Sequence, residues 1–323
     1  MSAPPLPVCR VAELDEPEPD HRWLVEPLWS RSAVGFIAAL PKLGKTWLGL
    51  DLALSVASNT PCLGSFEVTE PGTTLVYLAE DHTCVVRQRL AGICRQRGLS
   101  LGKLPLYVIT VPSLRLDLER DRQRLASTVR EIRPRLLLLD PLVRLHRRDE
   151  NNAGDVSELL AFFRELQREH DLAIMVVHHL RKNGAGSQAG QALRGSGDFH
   201  AWTDSALYLH ARRDRIWLHA EHRSAPAPAP VEIKLVSRSD GSETHLECVS
   251  GPTPPDAPPA SLAQRLISLL EESPRPVTRV ALRRRLRVNN QRLGSALVEL
   301  EVQGVIARSQ AGWRSKAPRL PGG

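Results

Sequence analysis

Lys45 and Thr46 close the run Ala38-Ala39-Leu40-Pro41-Lys42-Leu43-Gly44-Lys45-Thr46, and these residue types at this spacing suit the holding of a nucleotide's phosphates. Gly44 lets the backbone curl so that successive N–H groups point at phosphate oxygens. Lys45 brings charge to the β- and γ-phosphates, and Thr46 offers a hydroxyl to Mg²⁺. Leu40, Pro41, Lys42 and Leu43 form the body of the loop, and Trp47 opens the helix whose N-terminus adds partial positive charge. Ala39 stands where the pattern G-x-x-x-x-G-K-S/T has its first glycine, and a methyl group there disfavours φ > 0. An ordinary strand-to-helix turn containing Gly-Lys-Thr is the plainer alternative.

Further along lie three more polar groups, each directly after an apolar run. Glu80 and Asp81 follow Thr74 to Leu78; Glu80 suits a general base that orients or deprotonates water, and Asp81 suits the cap of the next helix. Asp140 follows Leu136-Leu137-Leu138-Leu139 and is placed to hold the water shell of Mg²⁺, although many strands end in Asp for turn reasons. His178 and His179 follow Ala173 to Val177, where an imidazole can hydrogen-bond a γ-phosphate. Paired histidines also suit a metal, but no third ligand stands at short spacing.

These groups share one crevice only if the apolar runs are neighbouring parallel strands, because an open α/β sheet binds ligands beyond the carboxyl ends of its strands. The pattern supports that. Val34, Phe36 and Ile37 mark a strand before the phosphate loop, and Trp47 to Ala57 a helix after it. A helix with Val86, Leu90, Ile93 and Cys94 stops at Gly98, and another with Leu118, Leu125, Val129 and Ile132 stops at Pro134. The four leucines before Asp140 read as a central strand buried on both faces. A polar loop from Leu142 to Gly154 leads to an amphipathic helix with Val156, Leu159, Leu160, Phe163 and Leu166. After His179 come a polar loop from Lys182 to Gly197, strands at Ser205–His210 and Arg215–His219, and a closing strand at Val231–Val236.

The 323 residues divide by composition into a Pro-rich, acidic lead-in (1–22), a catalytic domain (23–249), a Pro-rich linker (250–260), a small module (261–316) and a tail (317–323). Trp23 to Trp29 is apolar enough to dock on the domain that follows. In the module, Leu262, Leu266, Ile267 and Leu270 mark one helix, Val280 and Leu286 a second, and Leu293, Leu297 and Leu300 a third. A hairpin around Ala311-Gly312 follows, with Trp313 on it. These are the parts of a winged helix, and Arg283, Arg284, Arg285, Arg287 and Arg292 suit either duplex DNA or a docked replication protein. The net charge of +7 suits phosphate-rich partners or reflects compositional bias alone. Five cysteines without a C-x-x-C pair indicate neither a disulfide framework nor a zinc site. No run approaches the roughly 20 apolar residues of a membrane span, and the N-terminus lacks the order of a signal peptide, so a cytoplasmic protein with no membrane partner is expected.

The ordered set of Ala39 to Thr46, Glu80-Asp81, Leu136 to His146, His178-His179 and Leu193 to Gly197 resembles the RecA-like P-loop ATPases of the plasmid RepA helicase type. It is also similar to the ring helicases of phage primase-helicases and the DnaB group. The resemblance spans about residues 23–240. It implies an α/β fold, a RecA-like P-loop NTPase core with a mostly parallel central sheet, beside the small C-terminal winged-helix domain. It also implies a homo-oligomeric ring, usually a hexamer, with ATP and Mg²⁺ between neighbours and single-stranded DNA in the channel. Glu80 becomes the catalytic glutamate, Asp140 the Mg²⁺-linked acid and His179 the γ-phosphate sensor. Arg144, Lys182 and Arg194 become contacts to DNA phosphates. Arg223 becomes an arginine finger reaching the neighbour's nucleotide, with Glu221 where such families often carry a lysine. The expected function is an ATP-hydrolysing DNA motor of the replicative helicase type. The alternative is a nucleotide-switched DNA-binding regulator of replication or transcription without unwinding activity. A small-molecule kinase is disfavoured, because no segment reads as an acceptor pocket or lid.

Overall fold

The computed structural model describes residues 6–13, 22–147, 153–180, 197–212, 214–238 and 243–249, together with a set of positions between 266 and 315. The chain divides into two compact units, Met1–Thr253 and Pro254–Gly323. In chain order the first unit carries β1 (Trp23–Val25), β2 (Trp29–Ser30), β3 (Val34–Ala39), α1 (Lys45–Ser58), β4 (Thr74–Leu78), α2 (Thr83–Gln96), β5 (Leu106–Val108) and α3 (Glu119–Ile132). It continues with β6 (Leu136–Asp140), α4 (Ala153–His170), β7 (Ala173–His179), α5 (Gly197–Trp202), β8 (Ser205–Arg212), β9 (Arg215–His222), β10 (Val231–Ser237) and β11 (Thr244–Cys248).

Nine of these strands form one sheet in the order β11-β10-β9-β8-β3-β7-β6-β4-β5. From β8 to β5 every pairing is parallel, and β9, β10 and β11 extend the sheet antiparallel. The parallel strands have no polar face to offer water. Alternation therefore sends Leu136 and Leu138 into one apolar layer and Leu137 and Leu139 into the other. The first layer holds α1, α2 and the β1–β2 hairpin, with Leu24, Val25, Leu28 and Trp29 all buried; the second holds α3, α4 and Phe199 of α5. Helix α1 lies so close to the sheet that a Cβ on Gly49 would stand 3.0 Å from both methyl carbons of Leu138.

Two elements differ from the pattern reading. β5 is a three-residue edge strand after Pro105; it opens the β-branched and aromatic run Leu106-Tyr107-Val108-Ile109-Thr110-Val111, to which the pattern reading assigned no strand. The β8–β9 ladder runs to Arg212 and His222, so the hairpin turn is tighter and both strands are longer than their apolar stretches.

The second unit is described on its own. Leu266, Leu270, Leu282, Leu286, Leu293, Leu297 and Leu300 share one core with Ile306 and Trp313. Strands β12 (Ile306–Ser309) and β13 (Gly312–Ser315) pair antiparallel, and the Val277 and Trp313 main chains exchange hydrogen bonds at 2.8 and 2.9 Å to add a third rung. This is a wing. On α6 (Arg279–Leu286) the core is supplied by Leu282 and Leu286, whereas Val280, expected on the apolar face, is 71 % exposed. Arg283 and Arg285 of the same helix are exposed.

Candidate active site

Strand alternation decides which polar group faces which layer. In β7, Ala173, Met175 and Val177 lie on the α1 side, so His179 follows them to that side, in register with Ala39 at the start of the phosphate loop. His178 points the other way. It is buried against Phe36 and Phe199, with ring centroids 5.8 and 5.2 Å away, and belongs to the core. By the same parity Asp140 lies on the α1 side of β6, and Leu78 of β4 is in register with it. The Ala79 N–H donates to the Asp140 carbonyl at 2.8 Å, which brings Glu80 to the same edge.

The loop between β3 and α1 has the curled backbone that its glycine suggests. Lys42 and Gly44 have φ of 67° and 88°, and Gly44 is the N-cap of α1 with no side chain capping it. A Cβ on Gly44 would meet only a Leu246 methyl at 3.9 Å, so the glycine is required by conformation and not by space. Ala39 is the last residue of β3 and has no positive φ; its methyl group therefore costs the loop nothing in backbone strain. The first-turn N–H groups of α1 face the loop's concavity without intrahelical acceptors, which makes an anion cradle.

Charge in this cradle is poorly compensated by the chain itself. Lys45 is 5 % exposed, and among the described residues its ammonium donates only to the Ala39 and Leu40 carbonyls, at 3.2 and 3.0 Å. Burial lowers its pKa, against the opposing pull of Asp140 and Glu80. The Thr46 hydroxyl donates to Asp140 Oδ2 at 2.6 Å. Burial pushes Asp140 up to about 6; the Thr46 hydrogen bond and Lys45 oppose that, while Asp81 and Glu80 reinforce it. A hydroxyl and a buried carboxylate form an all-oxygen pair, the donor chemistry that Mg²⁺ takes, and a divalent cation beside Asp140 would relieve the burial that raises its pKa. The residues present thus fit a triphosphate with its magnesium.

The two acids after β4 have separate partners. Asp81 does not cap α2, whose N-cap is His82; its carboxylate instead accepts from Arg89 at 2.5 Å, and the Arg89 guanidinium lies 5.4 Å from the Trp47 ring. Glu80 accepts from Arg144 Nε at 2.8 Å. An open cleft of about 480 Å³ bordered by Glu80, Asp81, His82, Thr83 and Thr110 gives water access to this edge.

Arg223 is not brought to the other site residues. β9 runs antiparallel to β8, so its end pairs His222 with Ser205, opposite Gly35 at the beginning of β3. That edge is separated from the phosphate loop by the length of β3, about 13 Å at the usual rise. There the Arg223 guanidinium lies 3.3 Å from Asp204, which also takes Arg164 at 2.5 Å. Glu221 sits beside Tyr208, whose phenol is pushed up by burial first and by that carboxylate second. Lys182 and Arg194 lie outside the described residues. The sequence reading gave no role to Arg89, and no spacing signal marks it, because Asp81 lies before the first turn of α2.

Residues 2–185, more than half of the chain, match the family model described as AAA domain, and the chain belongs to that family. Residues 250–312 match the DprA winged helix domain. Among solved structures, the chain is similar to a DnaB-like replicative helicase studied with its primase interactions (TM-score 0.50, 15 % identity, 67 % of this chain and 59 % of that chain). It is similar also to the RadB recombinase (TM-score 0.50, 16 % identity, 68 % of this chain and 92 % of that chain). The chain spans less than two thirds of the DnaB-like helicase. At these identities the likeness concerns the fold alone, a RecA-like P-loop core with a mostly parallel central sheet. Among the described residues no helix is long and apolar enough to cross a membrane.

Proposed function

We propose that this protein hydrolyses ATP and acts on single-stranded DNA as a RecA-like motor of the RepA-type replicative helicase class. The observation that carries the reading is the 2.6 Å Thr46–Asp140 contact beside buried Lys45, with Glu80 and His179 on the same strand edge. Residues Ala39 to Trp47 hold the phosphates through main-chain N–H groups and the Lys45 ammonium. Thr46 and Asp140 hold Mg²⁺, which when bound neutralises charge on the β- and γ-oxygens. Glu80 orients and deprotonates the attacking water, and His179 donates to the terminal phosphate. Arg144, Lys182 and Arg194 contact DNA phosphates. Arg223 lies on the opposite edge of its own sheet, so its contact with a triphosphate is made in a second copy, and the active form is a homo-oligomer, a hexamer by the family pattern.

Phosphate release with Mg²⁺, ATP and single-stranded DNA is expected to fall about 10²-fold or more in Lys45→Ala. Mixing inactive Lys45→Ala and Arg223→Ala chains is expected to recover turnover, because some interfaces then pair an intact phosphate loop with an intact finger. Wild-type release no faster than Lys45→Ala would end the ATPase reading; no recovery on mixing would end the shared-site reading alone.

A second reading is favoured by the match to a DprA winged helix domain. There the core is a nucleotide-controlled assembly switch, and the C-terminal domain binds duplex DNA or a replication protein. Duplex binding by the full chain with no strand separation would select it.

A further inference from the structure

The family resemblance implies that Arg144 is a phosphate contact, yet its guanidinium is engaged with the carboxylate assigned to activating water. We propose that Arg144 is a positioning residue that restrains Glu80 until a phosphodiester strand draws the guanidinium away. This rests on the ATPase reading above.

The geometry is an anchored base with a movable arm. Arg144 ends the 3-10 turn Leu142–Arg144 that directly follows β6 and Pro141. Its main chain is held: the Arg115 guanidinium donates to the Arg144 and His146 carbonyls at 3.2 Å each, and the Leu116 N–H donates to the Leu145 carbonyl at 2.6 Å. Leu142 and Leu145 on either side are fully buried. The side chain is not held in this way, since the Arg144 and Glu80 side chains are 59 % and 48 % exposed.

Exposure decides what this ion pair can do. A pair so open to solvent is weak and readily exchanged, whereas a guanidinium fork matches phosphate oxygens in shape and charge. Arg147, three residues on and also exposed, places a second cation on the same loop. The neighbouring carboxylate shows the contrast: Asp81 and Arg89 are 22 % and 24 % exposed and 2.5 Å apart, with the guanidinium lying over Trp47. Of the two adjacent acids, the one able to serve as base has the exchangeable partner. While Glu80 Oε1 accepts from Arg144, the carboxylate is held in the orientation set by that ion pair. Once the guanidinium moves to a strand phosphate, the carboxylate is free to turn toward the attacking water, and turnover is tied to occupancy of the strand.

The test is steady-state phosphate release by the full chain at saturating Mg-ATP, with and without oligothymidylate, for wild type, Arg144→Ala and Arg144→Lys. In Arg144→Ala the strand-independent rate is expected to rise about fivefold, the size of one exposed ion pair, and the strand to add nothing further. Its KM for ATP is expected to stay within about twofold, because the phosphate loop is untouched. Arg144→Lys, which keeps a cation, is expected to restore the slow strand-independent rate. Loss of strand acceleration with no rise in the strand-independent rate would make Arg144 a plain strand contact and overturn the proposal, as would retained acceleration. Equal acceleration by inorganic phosphate would overturn the strand as the source. Phosphate release equally fast in Lys45→Ala would instead remove the ATPase reading beneath it.

Discussion

Helix α1 carries a buried cation at its start and a buried anion further along, and the chain handles the two in opposite ways. Asp51, 1 % exposed, accepts from the Leu63 N–H at 2.8 Å and from Arg97 at 2.7 Å. Arg97 in turn donates to the hydroxyls of Ser55 and Thr60 at 2.8 and 2.9 Å, so every charge in that group has its partners within the fold. Lys45, 5 % exposed, donates to two main-chain carbonyls and to no carboxylate among the described residues; its pKa is lowered by burial, and Asp140 beside it is raised. A buried charge that is fully matched holds helices together. One that its own chain leaves under-matched costs stability, and its energy is recovered only when a ligand supplies the missing charge.

The comparison can be broken at its structural end with the largest effect. Arg97→Ala leaves Asp51 buried and unpaired, and equilibrium denaturant unfolding is expected to show a loss of about 3–5 kcal/mol. A loss under about 1 kcal/mol would mean that solvent reaches Asp51 and the two ends of α1 are alike.

The ligand end carries the opposite sign. The folded pKa of Asp140, about 6, lies above its ordinary value of 3.8, so the native state keeps a proton that the unfolded chain has already lost. Stability therefore falls as pH rises between those two values and is level above the higher one. Asp140→Asn is expected to gain about 2–3 kcal/mol at pH 8 and nothing below about pH 3, read from denaturant curves at the two pH values. The same substitution is expected to remove Mg²⁺-dependent turnover.

The smallest effect sharpens the comparison at the helix start. Gly44→Ala places a methyl group on a residue with φ of 88° where nothing crowds it, so only backbone strain is added, about 1–2 kcal/mol by thermal or denaturant unfolding. No change would mean that the loop relaxes away from this curl when no phosphate is bound.

The elements that hold the site were legible because each has a long, strongly patterned signal. The bounds Thr74–Leu78 and Leu136–Asp140 follow from apolar runs closed by acids, whereas the sequence left His178 and His179 together at one strand end and only the two packed layers separate them. Ala39 misled only while the loop was imagined to turn there; the turn occurs at Lys42 and Gly44, and Ala39 is ordinary strand. The exposure of Val280 was not legible, since it depends on how a helix rotates against its module; β5 was legible as the run Leu106 to Val111, and only its place at the sheet edge was not.

By itself the sequence marked the apolar runs that become strands and the polar groups that follow their ends, but it left the side of the sheet open, because strands apolar on both faces carry no alternation to read. Only the tertiary structure decided which charge meets which. Asp81 takes Arg89, Asp51 takes Arg97 and Glu80 takes Arg144, across separations of 8, 46 and 64 residues. No spacing rule covers such distances, since the pairing is set by how layers stack and how far each group is withdrawn from water.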